Sequence, residues 1–545
     1  MPLKPPTGPE AALSSASGSP GKHPGIAAYC RRAGIMGFAG VGLAGVVYMA
    51  LNILRDAHAV NESLANGAFL FLGMALLVAL GFEFVNGFHD TANAVATVIY
   101  TRSLPPVVAV VWSGIFNFLG VLTSTGAVAY GIVTLLPVEL ILQVGSGAGY
   151  AMIFALLISA LVWNLGTWAI GIPNSSSHTL IGSIMGVGLA NGLLEKGMAG
   201  GVDWSQALKI GQALVFSPLI GFVCAGGLVF VLRGLLRRPE LFVPANRERA
   251  PPWWIRGLLI LTCTGVSFAH GGNDGQKGMG LIMLILIGVV PTAYALNRTM
   301  PDAVTPVFST ATRAAETVLA AHGEGSTITT SVEARPVLSA ALRDRAMTGP
   351  DVYRAMQVMA ADIDAQVTGY GTLRQVPAAA TPNLRNDMYL LDASLARLLS
   401  SHEPLSTSEI ATLRAAQKGY EAGTRYIPIW VKVAVALALG LGTMVGWKRI
   451  VVTVGERIGT QHMSYGQGLA AETVAALTIM AAERFGLPVS TTHILSSGVA
   501  GTMMANGGGL QSATLKRIVS AWVLTLPAAM ILAGVLYVIL RRVMT

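Results

Sequence analysis

The sequence predicts an all-α polytopic membrane protein of roughly ten to twelve transmembrane segments in two inverted repeats with broken or re-entrant helices, interrupted by a mainly helical soluble insertion. Three observations predict it. Hydrophobic residues make up 53% of the 545 and charged residues only 12%, with 63 glycines and a mean hydropathy of +0.60. Apolar runs of membrane-crossing length recur along the chain, and two polar strings each occur twice within them, in the same order. A soluble enzyme is excluded by this composition. The net charge of +9 lies mostly in the segments between apolar runs, without the basic stripe and interleaved aromatics of a nucleic-acid binder. Cys30, Cys224 and Cys263 have no CxxC spacing, which indicates neither a disulfide framework nor a thiolate metal site.

In chain order, residues 1–23 are rich in Pro, Gly, Ser and Ala and predict a disordered tail. Arg31 and Arg32 precede an apolar run from about 34 to 54. That run is too long for a signal peptide and lacks a cleavage site, so it reads as a retained span. The first repeat region covers 24–232, and its second span, about 67–87, delivers GFHDTANAVAT with His89, Asp90 and Asn93. An ionisable group at bilayer depth costs on the order of 3 kcal/mol unless it faces a cavity or a partner, so it marks a functional site. Glu83 falls on the same helical face as Asp90, either as a second working acid or as a cavity-facing one without special role.

Spans follow at about 107–136 and 150–172, and Pro173 stops the helix before PNSSSHTLIGS. A proline followed by hydroxyl residues and an apolar run has the form of a helix N-terminus. Its unpaired N–H groups are open to an anion when that end lies within the membrane. A span at about 208–232 leads into the basic loop 233–256, where Arg233, Arg237, Arg238, Arg247, Arg249 and Arg256 outnumber Glu240 and Glu248. That loop is expected in the cytoplasm, with Trp253 and Trp254 at the interface. The second repeat starts over 257–290, an apolar stretch too long for one untilted helix. The glycines of AHGGNDGQKGMG around Asp274 predict a broken crossing there. Residues 291–426 hold about half of the acidic residues in Ala/Leu-rich helical runs. They predict a soluble, extracytoplasmic insertion acting as a cap or lid. Residues 427–545 complete the second repeat around PVSTTHILSSG.

The hydroxyl strings align residue by residue: Ser175, Ser176, Ser177 and His178 with Ser490, Thr491, Thr492 and His493. Paired, Gly/Pro-interrupted hydrophobic segments in two halves point to a transporter binding site. The six hydroxyls, Thr179 and the backbone N–H groups of two helix starts supply neutral donors to an oxyanion at modest affinity. Bidentate arginine, which would hold an oxyanion tightly, is missing from the strings. His178 and His493 either orient the hydroxyl loops or touch the substrate or a proton.

GFHDTANA, AHGGNDGQKG, PNSSSHTLIG and PVSTTHILSS resemble the signature segments of the PiT family of inorganic phosphate transporters, and Lys277 brings the likeness nearest to the bacterial low-affinity Pit type. The resemblance covers both membrane halves. It implies a non-enzymatic symporter of the bacterial inner membrane that imports phosphate, free or as a metal–phosphate complex, through a site between the repeats. It implies no cofactor, membrane lipid and phosphate as partners, and is compatible with a homo-oligomer. In sodium-driven relatives, the resemblance implies, Asp and Asn oxygens of these motifs serve the ions. Aligning Asp90 with Asp274 retains Asn93 in the first motif but puts Lys277 at its place in the second, after Asn273. An ammonium there occupies the position of a bound cation, so proton coupling is expected. Asp90, Asn93, Asn273, Asp274 and Lys277 form the cation-coupling set, with His89, His178, His270 and His493 handling protons or orienting neighbours. The alternative is that Lys277 only neutralises Asp274. Two other readings stay open: a permease for sulfate or another tetrahedral oxyanion, and an intramembrane zinc hydrolase using the histidines, against which no HExxH occurs.

Overall fold

The computed structural model describes residues 24–60, 66–133, 146–195, 202, 204–245, 250–344, 346–401 and 404–544. The expected tail at 1–23 and the loop residues Arg247, Glu248 and Arg249 lie outside them. The first half comprises α1 (Pro24–Ala59), α2 (Asn66–Tyr100), α3 (Pro106–Thr123), α4 (Ala127–Val133), α5 (Gly147–Ala169), α6 (Ser176–Glu195) and α7 (Trp204–Leu236). Next come α8 (Trp253–Val289) and the insertion helices α9 (Thr305–His322), α10 (Ser331–Asp344), α11 (Pro350–Tyr370), α12 (Thr381–Ser400) and α13 (Thr407–Thr424). The second half closes with α14 (Ile429–Thr443), α15 (Lys448–Glu456), α16 (Tyr465–Arg484), α17 (Thr491–Ala505) and α18 (Ser512–Met544). Extended pairing among the described residues is limited to two isolated bridges, Pro244 with Ser464 and Gly459 with Leu510.

Six helices among the described residues, α1, α2, α3, α5, α7 and α18, are long and apolar enough to cross a membrane. The further crossings expected from the sequence fall on elements of another kind. α14 and α17 have only 15 residues each, and α8 carries His270, Asp274 and Lys277 in its middle.

Helix pairing is duplicated. α17 packs on α7 as α6 packs on α18, α8 packs on α3 as α2 packs on α14, and α4 lies on α8 as α15 lies on α2. The closest backbone approaches repeat with the pairs. A Cβ on Gly186 would lie 2.1 Å from Met530 O, and one on Gly501 2.1 Å from Phe222 O. Likewise Gly120 would meet Phe268 O at 2.1 Å and Gly442 would meet Phe84 O at 2.0 Å. Without water to drive burial, helices in lipid gain contact by such close approach, which small residues permit.

The expected break in 257–290 does not occur: α8 is one helix of 37 residues. Its glycines serve packing instead. Gly271 lies against Asn117 O, Gly278 against the Glu83 side chain and Gly280 against Ala129 O. Conversely, the stretch expected as one span from 107 ends α3 at Thr123, and Gly126, at φ +89, turns the chain into the short α4.

Both hydroxyl strings follow the same helix stop. α5 ends with Gly171 at φ +71, and α16 with Gly486 at φ +65. Gly171 N donates to Trp168 O and Ile172 N to Thr167 O; Gly486 N donates to Glu483 O and Leu487 N to Ala482 O. These are paired Schellman caps, whose left-handed residue favours glycine. Proline two residues on prevents the helix from resuming at once, and six residues, 170–175 and 485–490, separate the two helices in each half.

The insertion is a helical unit with its own apolar core, including Met356, Met359, Ile363, Leu391, Leu395, Leu413 and Tyr420. Arginine–carboxylate pairs bind its helices: Arg313 to Asp364 at 2.7 Å, Arg335 to Asp387 at 2.7 and 2.8 Å and Arg425 to Asp392. Its base rests on the membrane half, where Tyr130 Oη donates to Tyr426 O at 2.7 Å.

Candidate functional site

The two hydroxyl loops meet in the interior. Ser175, Ser176, Ser177, Thr179, Ser490, Thr491 and Thr492 are all buried. Ser177 Oγ donates to Val489 O at 2.7 Å, joining the first loop to the second. Each loop caps its own helix: Ser175 Oγ accepts from His178 N, and Ser490 Oγ accepts from His493 N, both at 3.2 Å. The N-termini of α6 and α17 therefore converge, and the positive ends of two helices near one another are an arrangement suited to an anion.

The second acidic motif stands at the same place. Ser176 Oγ donates to Asp274 Oδ2 at 3.3 Å, and Asn273 Nδ2 donates to Leu487 O at 3.2 Å. Thus α8 touches both loops. Lys277 Nζ lies 2.6 Å from Asp274 Oδ2, with both side chains closed to solvent. His270 Nε2 is 3.5 Å from the same oxygen, and its Nδ1 donates to Asn117 Oδ1 at 2.6 Å. The other carboxylate oxygen, Asp274 Oδ1, has no hydrogen-bond partner among the described residues.

His178 and His493 face each other with ring centroids 4.5 Å apart, and His493 stacks on Trp522 of α18 at 4.0 Å. His178 Nδ1 is 2.8 Å from Ser175 Oγ, a contact that steadies the hydroxyl loop. His89 Nε2 donates to Asn164 O at 2.8 Å, which fixes that ring against α5. Asp90 and Asn93 lie on α2, and their side chains fall outside the described residues.

Four supporting residues, Asn117, Asn164, Asn174 and Thr525, escaped the sequence reading. Asn164 Oδ1 accepts from Thr179 Oγ1 at 3.0 Å and from Asn174 Nδ2 at 3.1 Å, tying the first loop to α5. Thr525 Oγ1 donates to Asn174 Oδ1 at 2.7 Å and ties it to α18. Asn117 orients His270. Asn164 and Asn174 did carry a signal, since each is an amide within or beside an apolar run. Among the described residues no three of His, Cys, Asp and Glu are grouped to hold a metal ion.

Residues 86–533 match the model of the family described as "Phosphate transporter family". The chain is 42% identical over 492 residues to the low-affinity inorganic phosphate transporter PitB of Escherichia coli (strain K12), covering 86% of this chain and 97% of that protein. It is 42% identical over 508 residues to PitA of the same strain, with the same coverage. A solved structure described as the sodium-dependent phosphate transporter is similar at 20% identity and a TM-score of 0.48, covering 87% of this chain and 100% of that one.

Proposed function

The chain belongs to the phosphate transporter family, and from that premise we propose that it is a proton-coupled symporter importing inorganic phosphate through the site where its two hydroxyl loops meet. It is an inorganic phosphate transporter, a multi-pass protein of the bacterial inner membrane. The observation that carries the site is the junction itself: Ser177 bound to Val489 O, with Ser176 on Asp274. Six neutral hydroxyls and two helix starts compensate a partly desolvated oxyanion without the grip of a bidentate arginine, so the anion is released as readily as it is bound. The exchange of helix partners between the halves supports two repeats of opposite orientation, and rocking of their loops about the shared site supplies alternating access.

Lys277 supports protons as the driving ion. Its ammonium sits 2.6 Å from Asp274, where a bound sodium would otherwise balance the carboxylate. A fixed cation leaves that place filled throughout the cycle, and a proton on a neighbouring acid becomes the movable charge. Divalent metal enters this reading as cargo, paired with phosphate to lower the charge that must cross.

Labelled phosphate uptake into proteoliposomes tests the reading. An acid-outside gradient is expected to drive accumulation and an imposed sodium gradient is not. Unlabelled phosphate and arsenate are expected to compete, and sulfate to have little effect. Accumulation that follows sodium and ignores pH overturns proton coupling, while equal competition by sulfate overturns phosphate selectivity. Asp274→Asn is expected to abolish uptake with the protein still inserted.

A further inference from the structure

We propose that Glu83 takes up the coupled proton and that Lys277 passes between Asp274 and Glu83 as that proton arrives and leaves; the proposal rests on the proton-coupled reading above. Glu83 lies on α2, outside all four motifs, and is fully buried. Its Oε1 has no hydrogen-bond partner among the described residues. Its other oxygen, Oε2, accepts a long contact from Asn86 Nδ2 at 3.5 Å. The carboxyl group lies directly on Gly278 of α8, the neighbour of Lys277. A Cβ at Gly278 would fall 2.3 Å from Glu83 Cγ and 2.7 Å from Oε1, so only glycine leaves space for this acid beside the ion pair.

The charged and titratable groups facing Glu83 are Lys277, Asp274 and His270, all on α8. The other helices packed on α2, namely α3, α5, α14, α15 and α17, bring it no such group among the described residues. Asp90 stands two turns further along α2 itself. Two acids thus share one ammonium. Lys277 is committed to Asp274 here, and a buried carboxyl left without a cation is balanced by a proton. When the Glu83 O–H bond breaks and its proton leaves to water, two carboxylates compete for Lys277. The four-carbon stem of lysine lets the ammonium swing between them.

Ser176 links this exchange to the substrate, because it bonds to Asp274 within the hydroxyl loop. An oxyanion entering beside an unneutralised Asp274 meets a like charge. With Lys277 on Asp274, it does not. Protonation of Glu83 therefore keeps Lys277 on Asp274 and opens the loop to phosphate, and loss of the proton draws Lys277 away and favours release.

The full-length chain in proteoliposomes, with inorganic phosphate as the probe, separates the two halves of this cycle. Phosphate–phosphate exchange at equal pH needs no net proton movement; accumulation under an acid-outside gradient does. For Glu83→Gln, exchange is expected within about threefold of wild type and indifferent to pH, while accumulation falls at least about tenfold. Glu83→Asp, which keeps a protonatable group, is expected to accumulate phosphate at a reduced rate and guards against a fold defect in the Gln variant. Wild-type accumulation by Glu83→Gln overturns the assignment, as does equal loss of exchange and accumulation in both variants. A wild-type protein that follows sodium instead overturns the coupling reading and this proposal together, so the two failures are distinct.

Discussion

Removing the Lys277 ammonium is expected to cost stability as well as transport. Lys277 and Asp274 are 2.6 Å apart and both are closed to solvent. Breaking such a pair by deleting one partner costs about 3–5 kcal/mol, because the remaining charge is stranded. Ser176 at 3.3 Å and His270 at 3.5 Å stay on the carboxylate and offset part of this. Lys277→Met is therefore expected near the lower end, about 3 kcal/mol. At about 2 °C per kcal/mol for a chain of this size, that is a fall of about 6 °C in the melting temperature of the detergent-purified protein. Adding Asp274→Asn removes the stranded charge, and the double variant is expected to regain most of the loss while remaining inactive in uptake. Fluorescence-detected size exclusion after heating measures both. A Lys277→Met variant that melts with wild type, or a double variant no more stable than the single, refutes the picture of a desolvated, mutually dependent pair.

Gly186→Ala and Gly501→Ala are each expected to lose about 3 kcal/mol of stability, because the added Cβ meets a backbone carbonyl that cannot move aside. Gly73→Ala, where a Cβ meets nothing within 4 Å, serves as the neutral control in the same melting assay. Ser177→Ala, which removes the donor to Val489 O, is expected to lower phosphate uptake by about tenfold, equivalent to about 1.4 kcal/mol, at unchanged membrane abundance. In the insertion, hydrogen bonds from Ser406 and contact with His322 hold the Glu409 carboxyl down at about 2, below its ordinary 4.5. A depressed carboxyl stabilises above its unfolded value, so the start of α13 is expected to loosen as pH falls from 4.5 towards 2. Amide exchange at residues 407–410 measures this, and Glu409→Ala is expected to abolish the pH dependence.

The architecture was legible because membrane helices write themselves in long apolar runs, and the site was legible because its polar strings stand out against them. Ser176 bonds to Asp274, Ser177 to the second hydroxyl loop, and Lys277, which breaks the duplication, pairs with Asp274. What the sequence hid was the use of its glycines. Those around Asp274 read as a chain break, yet they seat Asn117, Glu83 and Ala129 against a continuous α8. A glycine that bends the backbone and one that admits a neighbour look alike in one dimension, and the distinction lies in what packs opposite. The informative glycines were elsewhere. Gly171 and Gly486, two residues before each proline, cap the preceding helices at positive φ and stand just ahead of the duplicated strings. Glu83 was visible as an acid in an apolar run, but its address beside Lys277 depends on the crossing of α2 over α8.

The exchange of partners between the halves also decides what must move. α6 is packed with α5 and α18, and α17 with α16 and α7, while α2, α3, α8 and α14 pack together, with α8 also lying on α16 and α2 on α5. Each hydroxyl loop is therefore carried by a helix group drawn from both halves of the chain, and the ion pair is carried by a third. At the site the three groups are joined by hydrogen bonds: Ser177 to Val489 O, Asn273 to Leu487 O, and Ser176 to the carboxylate of Asp274. The first two contribute about 1 kcal/mol each and the one to the carboxylate about 1.5–3 kcal/mol, so parting these bonds at the site costs a few kcal/mol, the range in which two conformations remain interconvertible. Arginine clamps across the same seams would raise that cost several-fold and hold both the anion and the protein in one state. On the proposed reading the hydroxyl strings serve two demands at once, because donors weak enough to release phosphate are also weak enough to let the loops part.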